Sequence, residues 1–360
     1  MEIKEICKKF NFLGELQSYD VLTSGNINAT YHVVCKNGEN VNQYILQRIN
    51  KNVFKNPAGV MYNIVGITDY MKNSCKNSNL LVLDYITSSS DGEPYIIDEI
   101  GNFWRARQFV DSVSYNTTDD LFIVEETGRA FGEFQYLLDG FDASKLFESI
   151  PYFHNTKKRI ENLEKTLKFN VNKRKQECKE EIEYILSHKN LAETLVNLLE
   201  KDKLPLRVTH NDTKCNNVLF DKNTHKALAI IDLDTIMSGL SAYDFGDGAR
   251  SICATTFEDE TDLNKVKFSL DKFEYFTKGY LTKLKGVLTE MEISTLAISV
   301  FIMTLELASR FLQDYINGDT YFKIVYPDHN LRRTKCQIAL CKDIYSKLDK
   351  MKEIVKKYSK

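Results

Sequence analysis

The sequence is poor in proline and tryptophan and lacks any compositional extreme. Five prolines in 360 residues exclude a long proline-rich linker. A formal net charge of −2 provides no broad positive field of the kind that gathers nucleic acid. Short basic runs such as Lys173-Arg174-Lys175 read as solvated faces or loops. Eight cysteines include no C-x-x-C pair, and no His/Cys spacing matches a zinc site. The stretch Met1-Glu2-Ile3-Lys4-Glu5 has no apolar signal core, and no uninterrupted apolar run reaches the roughly 18 residues of a membrane span. The expectation is a cytoplasmic chain with free thiols and no nucleic-acid or membrane partner. Apolar (43%) and charged (27%) fractions are those of a globular protein, long enough to bury a core in two lobes.

What is present divides near residues 109–112. Before that point, alternation and turn residues predict strands over residues 19–22, 31–35, 44–49, 80–85, 95–97 and 102–108. Helical spacing is found over 1–15 and 54–71. Beyond it, N-cap residues at 116–120 precede an apolar stripe of Phe122, Ala130, Phe131, Phe134, Leu137 and Leu138. Further helices are predicted over 153–168, 174–200, 259–284, 288–317 and 334–357. The fold class expected is α+β: residues 1–110 an antiparallel-sheet lobe with a helix, residues 111–360 a mostly helical lobe, joined by a short hinge without Gly or Pro.

The chemistry concentrates between Val208 and Arg250. Apolar runs at 218–220 and 227–231, joined by a polar turn, predict a β-hairpin. A hairpin returns the chain to the end where it began, so Asn217 before it and Asp232 after it emerge together. One amide oxygen and one carboxylate beside phosphate oxygens suit Mg²⁺, which keeps several of its waters. Asp212, in the loop feeding the hairpin, can accept a hydroxyl proton as a phosphoryl group arrives; such transfer needs positioning and charge neutralisation more than a strong base. Lys214 can supply positive charge to the phosphoryl oxygens, and Asp234 can support Asp232 at the metal. His210 reads as a backbone brace and Cys215 as a small packing residue. Asp244 and Asp247 read as caps of the helix that follows, with Arg250 as ion partner.

The run from His210 to Asn217, followed by Ile231-Asp232-Leu233-Asp234, resembles the catalytic core of the aminoglycoside phosphotransferase and choline kinase superfamily. That resemblance implies a two-lobed, protein-kinase-like fold. Segments 207–214, 231–237, 245–247, 45–50, 112–116 and 326–331 further resemble the N-acetylhexosamine 1-kinase family within it. The reaction so implied transfers phosphate from ATP, with Mg²⁺, to the anomeric hydroxyl of N-acetylglucosamine or N-acetylgalactosamine; Asp212 is then the base, and Asn217 and Asp232 carry the metal.

The sheet lobe departs from the kinase pattern. In place of a glycine-rich loop there is Gly25 between Ser24 and Asn26, and these with Asn28 are the expected phosphate contacts. Gln47, followed by Arg48, stands where a strand lysine is usual, with Asn63 a possible partner from the 54–71 helix. Gln108, Phe109 and Val110 are the expected adenine contacts. The expected sugar contacts are Arg310, Asp314, Tyr326, His329, Asn330 and Arg333; a structural Arg310–Asp314 helix pair competes with that role. Partners are then ATP and a small sugar, with the chain a monomer or weak dimer. The alternatives are a kinase for choline, homoserine or an aminoglycoside, and a non-catalytic nucleotide-binding regulator.

Overall fold

The computed structural model describes residues 2–22, 27–74, 77–169 and 172–360. Its first lobe is built on an antiparallel sheet. Strand β1 (Glu15–Leu22) pairs with β2 (Ala29–Asn37), and β2 with β3 (Asn40–Arg48). The β2–β3 turn places Gly38 at φ +61°, a conformation that costs a glycine little. Strands β4 (Tyr85–Ile86) and β5 (Ile96–Ile97) both pair with β6 (Phe103–Gln108), which pairs with β3, giving the order β1-β2-β3-β6-β4.

The two-residue period of the strands decides what each face carries. On one face Val33, Tyr44, Leu46, Trp104 and Ala106 pack with Ile6 and Cys7 of helix α1 (Ile3–Cys7). Ile45, Gln47, Arg105 and Arg107 alternate onto the other face and line the cleft between the lobes. Helix α2 (Pro57–Asn73) starts with Pro57 at its first turn and the Asn56 side chain accepting the Gly59 N–H. Its Val60, Met61, Ile64 and Ile67 join the core of the second lobe.

The second lobe is mostly helical: α3 (Leu121–Leu137), α4 (Thr156–Phe169), α5 (Lys179–Ser187), α6 (Lys189–Ala192), α7 (Thr194–Leu199), α8 (Ser241–Cys253), α9 (Leu270–Leu281), α10 (Glu290–Asn317) and α11 (His329–Tyr358). Between α7 and α8 lie two small ribbons, β7 (Arg207–Thr209) with β10 (Met237–Gly239), and β8 (Val218–Phe220) with β9 (Ala227–Ile230). Helices α3 and α9 cross in backbone contact: a Cβ on Gly132 would lie 2.0 Å from the Tyr280 carbonyl oxygen, and one on Gly279 2.0 Å from that of Glu125. Helix α10 is apolar enough to cross a membrane by composition, but 78% of that window is buried within the protein, as befits a core helix. A reciprocal capping box between Thr289 and Glu292 starts it.

The elements differ from the predicted ones where tertiary contacts take over. Of the 80–85 segment only Tyr85 joins the sheet, as the first residue of β4; Leu81 N–H instead bonds the Leu228 carbonyl, and Leu83 packs on Leu219 and Ala229 of the second lobe. The 174–200 helix is a 3-10 turn followed by α5, α6 and α7. The 259–284 helix begins only at Leu270, because Ala254 and Phe268 bridge as extended chain before it.

Candidate active site

Strand β7 delivers the chain into a loop held almost entirely by buried polar groups. Asn211 takes a left-handed φ of +64°. Its N–H and that of His210 bond the Asp244 carboxylate at 2.8 and 2.9 Å, and the Thr213 N–H bonds Asp247 at 2.9 Å. Asp244 and Asp247 therefore do not cap α8, whose N-cap position is Leu240. They lie inside the helix and point back at the loop. Asp247 does pair with Arg250, at 2.6 Å. A buried carboxylate needs such donors, and the loop N–H groups supply them. His210 braces the backbone: Nδ1 accepts the Asp212 N–H at 3.3 Å, so the proton sits on Nε2, which bonds the Ile231 carbonyl at 3.0 Å. Cys215 is buried, and burial pushes its thiol up to about 11, which leaves it inert.

Asp212 stands half-buried at the cleft. Its Oδ1 is 2.8 Å from Lys214 Nζ, and its Oδ2 accepts from Asn217 Nδ2 at 3.1 Å. The Asp212 carboxylate, with more distant Asp247 and Glu258, raises the lysine's pKa. Because Asn217 spends its NH₂ on Asp212, its amide oxygen is left to accept. The Ile231 N–H bonds the Asn217 carbonyl at 2.9 Å, closing the β8–β9 hairpin so that Asn217 and Asp232 emerge side by side. Asp232 also has a left-handed φ, +61°. Its carboxyl is pushed up to about 6, first by the loss of bulk water between the lobes, then by the charges of Asp234 and Asp212. A carboxylate crowded by like charge, beside a free amide oxygen, is a donor set that fits a hard divalent cation.

Asp234 has both oxygens engaged by other groups. It forms a fully buried ion pair with Arg105, and its other oxygen accepts from Asn28 Nδ2 at 2.7 Å. Arg105 Nε and Nη2 both bond Gln47 Oε1, at 3.0 and 2.9 Å, while Gln47 Nε2 bonds Thr30 Oγ1 at 3.2 Å. Position 47 carries no cation, and the facing register position of β6 does, in Arg105. Asn63 is not a partner of Gln47; it ties the Phe147 and Ile236 carbonyls at 2.7 and 2.8 Å. Arg48 turns to the opposite face, over the Trp104 ring.

Asp212, Lys214, Asn217, Asp232, Gln47 and Arg105 line a cleft of about 370 Å³ that also includes Ile45, Tyr85, Phe109, Val110, Leu219 and Ile231. Of the expected nucleotide contacts, Asn28, Gln47, Phe109 and Val110 line it, whereas the Gln108 carbonyl is occupied by Arg107 Nη1 at 3.0 Å. Ser24, Gly25 and Asn26 lie outside the described residues.

The residues expected to bind sugar gather where α10 ends and α11 begins. Asp314 accepts the N–H groups of Thr320, Tyr321 and Phe322 and the amide of Asn330, so both organise the connecting turn. Tyr326 stacks on His329 at 4.3 Å, and both approach Asp259. Arg333 bonds the Lys323 carbonyl at 3.2 Å and lies over Phe311. Arg310 does not pair with Asp314; its ion partner is Glu306, one turn back, at 3.8 Å. Its guanidinium lies over Phe153 and Phe322, 5.0 and 5.6 Å from the ring centres, and bonds no described residue.

Residues 18–266 match the phosphotransferase enzyme family APH. The chain belongs to that family. A choline kinase from Cryptosporidium parvum Iowa II superposes with a TM-score of 0.62 at 17% identity, over 99% of this chain and 98% of its own. A spectinomycin phosphotransferase in complex with ADP and spectinomycin gives 0.57 at 11%, over 94% and 96%. A choline kinase from Streptococcus pneumoniae gives 0.53 at 14%, over 96% and 98%. At such identities the likeness establishes the two-lobed kinase-like fold.

Two features of this phosphotransferase escaped the sequence. Arg105 had a signal, for two arginines alternate on one face of an otherwise apolar strand, Phe103-Trp104-Arg105-Ala106-Arg107. His154 had none. It precedes α4 and reaches Asn211, 57 positions further along the chain, through folding alone.

Proposed function

We propose that the chain transfers the γ-phosphoryl group of ATP to the anomeric hydroxyl of an N-acetylhexosamine, forming the sugar 1-phosphate and ADP. Asp212, oriented by Lys214 and Asn217, receives the hydroxyl proton as the sugar O1–phosphorus bond forms and the bond from phosphorus to the ADP oxygen breaks. The anomeric hydroxyl is more acidic than an ordinary alcohol, so a carboxylate is an adequate base. Lys214 neutralises the moving charge. Asn217 Oδ1 and Asp232 would hold Mg²⁺, which supplies charge neutralisation at the phosphates. Arg105 sets Gln47 and Asp234 beside the phosphate end of the cleft, and Phe109 and Val110 border the base.

The observation that carries the choice of acceptor is Arg310. A guanidinium between two aromatic rings, held by Glu306 only at ion-pair distance (3.8 Å), keeps N–H donors for neutral hydroxyl and carbonyl oxygens beside an apolar ring face. Burial first, and then the nearby charge of Arg310, lower the pKa of Arg159, and two guanidinium groups side by side are the opposite of a site for choline or an aminoglycoside. Free, buried thiols fit a reducing cytoplasm. The test is incubation with Mg-ATP and a panel of sugars, choline, homoserine and aminoglycosides, following ADP and locating the new phosphate by NMR. The expected product carries phosphate at C1 of an N-acetylhexosamine. No turnover of any N-acetylhexosamine would sink the sugar reading, and phosphate at C6 would reject the 1-kinase.

A further inference from the structure

His154 lies outside every motif, yet it touches the catalytic loop. Its Nε2 is 3.0 Å from the Asn211 carbonyl oxygen, and its Nδ1 is 3.1 and 3.3 Å from the two oxygens of Glu306. A carbonyl and a carboxylate only accept, so the ring serves both only with a proton on each nitrogen. The side chains of His154 and Glu306 are 5% and 1% exposed. Burial by itself would lower the pKa of His154, but Glu306, its hydrogen bond, Asp247 and the Asn211 carbonyl together raise it. In return, His154 and Arg310 keep Glu306 below its ordinary value against burial.

Every element around the ring contributes. Glu306 comes from α10, Asp247 and Tyr243 from α8, Asn211 from the loop, and Phe153 from the neighbouring position, with Arg310 and Arg159 beyond Glu306. The carbonyl that His154 holds belongs to the peptide joining Asn211 to Asp212. That peptide follows a left-handed residue whose N–H is fixed by Asp244 and whose side chain bonds the Thr235 carbonyl at 2.8 Å. His154 holds the remaining polar group of the link, and its orientation sets the direction of the Asp212 side chain. On the far side, Glu306 divides its charge between His154 and Arg310.

We propose that His154 is a positioning residue, an imidazolium that ties helix α10 and Arg310 to the peptide bearing Asp212. The link to catalysis rests on the reading of Asp212 as base and Arg310 as acceptor contact. Loss of the proton breaks one of the two bonds, frees the Asn211–Asp212 peptide and returns Glu306 to Arg310. Activity then falls on the alkaline side.

Two measurements test this. In ¹⁵N-labelled protein at pH 8, the imidazole nitrogens should show one doubly protonated ring that disappears in His154→Gln, and the Asp212 amide signal should shift with the same titration. Kinetically, His154→Leu should lower kcat for the N-acetylhexosamine about 100-fold, since a displacement of about 1 Å at a reacting group costs that much, with KM for ATP unchanged. His154→Gln, which keeps a donor to Asn211, should recover part of the loss and lack the alkaline limb. A neutral His154 ring at pH 8 overturns the proposal. So does a His154→Leu protein with wild-type circular dichroism and wild-type kcat, or a His154→Gln protein that keeps the alkaline limb. If no N-acetylhexosamine is phosphorylated by the wild type, the acceptor reading falls; the NMR titration still decides, a protonated ring coupled to the Asp212 amide supporting the brace and an uncoupled one overturning it.

Discussion

Asp212 and Arg105 illustrate two ways a single side chain can matter. Asp212 is half-open to the cleft, and in the proposed reaction it has only to orient the acceptor and take its proton. Its replacement by Asn keeps shape and hydrogen bonding to Asn217 but removes the basic oxygen. Turnover should fall by about 10²–10⁴-fold, with ATP binding retained in a calorimetric titration. Full activity in that variant would remove Asp212 from the mechanism. Arg105 is different, because its charge is paired inside the protein. Arg105→Leu leaves Asp234 buried without its cation, and stability should drop by about 3–5 kcal/mol. Asp234→Leu should cost a similar amount, and the double variant less than the sum; strictly additive urea-unfolding values would show that the pair is not coupled.

At the scale of elements, the turn before β6 carries its own pH dependence. Asp98 accepts from Trp104 Nε1 at 3.0 Å and from the Asn102 and Ile100 N–H groups. Burial alone would raise its pKa, but these donors outweigh it and hold the carboxyl down at about 2, against an ordinary 3.8. A lowered carboxylate contributes stability above its unfolded pKa and loses it as pH falls through the window from 3.8 to about 2. Trp104 is the only tryptophan, so its fluorescence reports this element directly. Asp98→Asn should lower stability by about 1–3 kcal/mol at pH 7 and flatten the acid limb of the fluorescence transition. An unchanged acid limb would contradict the assignment. The α3–α9 crossing is the second element-scale test. Gly132→Ala places a methyl against backbone that cannot move aside, and the melting temperature should fall, reflecting a cost of at least about 1–3 kcal/mol.

For the whole molecule, the two lobes are stitched across the cleft by Arg105 and Asn28 to Asp234, and by Asn63 to the Ile236 carbonyl. With such ties the lobes should unfold together. The Trp104 fluorescence transition, which follows the sheet lobe, should coincide with the far-ultraviolet transition, dominated by the helical lobe. In an Arg105→Leu, Asn63→Ala double variant the two should separate, the sheet lobe melting first. Separate transitions in the wild type would mean that these contacts do not couple the lobes.

The division of labour between sequence and structure follows the range of the interactions. Sequence alone established the sheet-then-helix order, the hairpin that brings Asn217 and Asp232 to one end, and the loop bearing Asp212. All of these rest on contacts between residues close along the chain, where periodicity, turn chemistry and spacing are legible. Tertiary structure decided the rest. Asp244 and Asp247 read as ordinary helix caps because nothing local reveals that the helix lies with its flank against the catalytic loop. Segment 80–85 reads as a strand, yet most of it leaves the sheet for the β8–β9 hairpin. Arg105 bonds Gln47 because the β3–β6 register sets them opposite each other. His154 reaches Asn211 only because α4 packs on α10, and α10 on the helix α8 that holds the loop. A buried charge takes whichever partner the fold brings within about 3 Å, since its desolvation must be compensated somewhere, and sequence distance has no bearing on which partner that is.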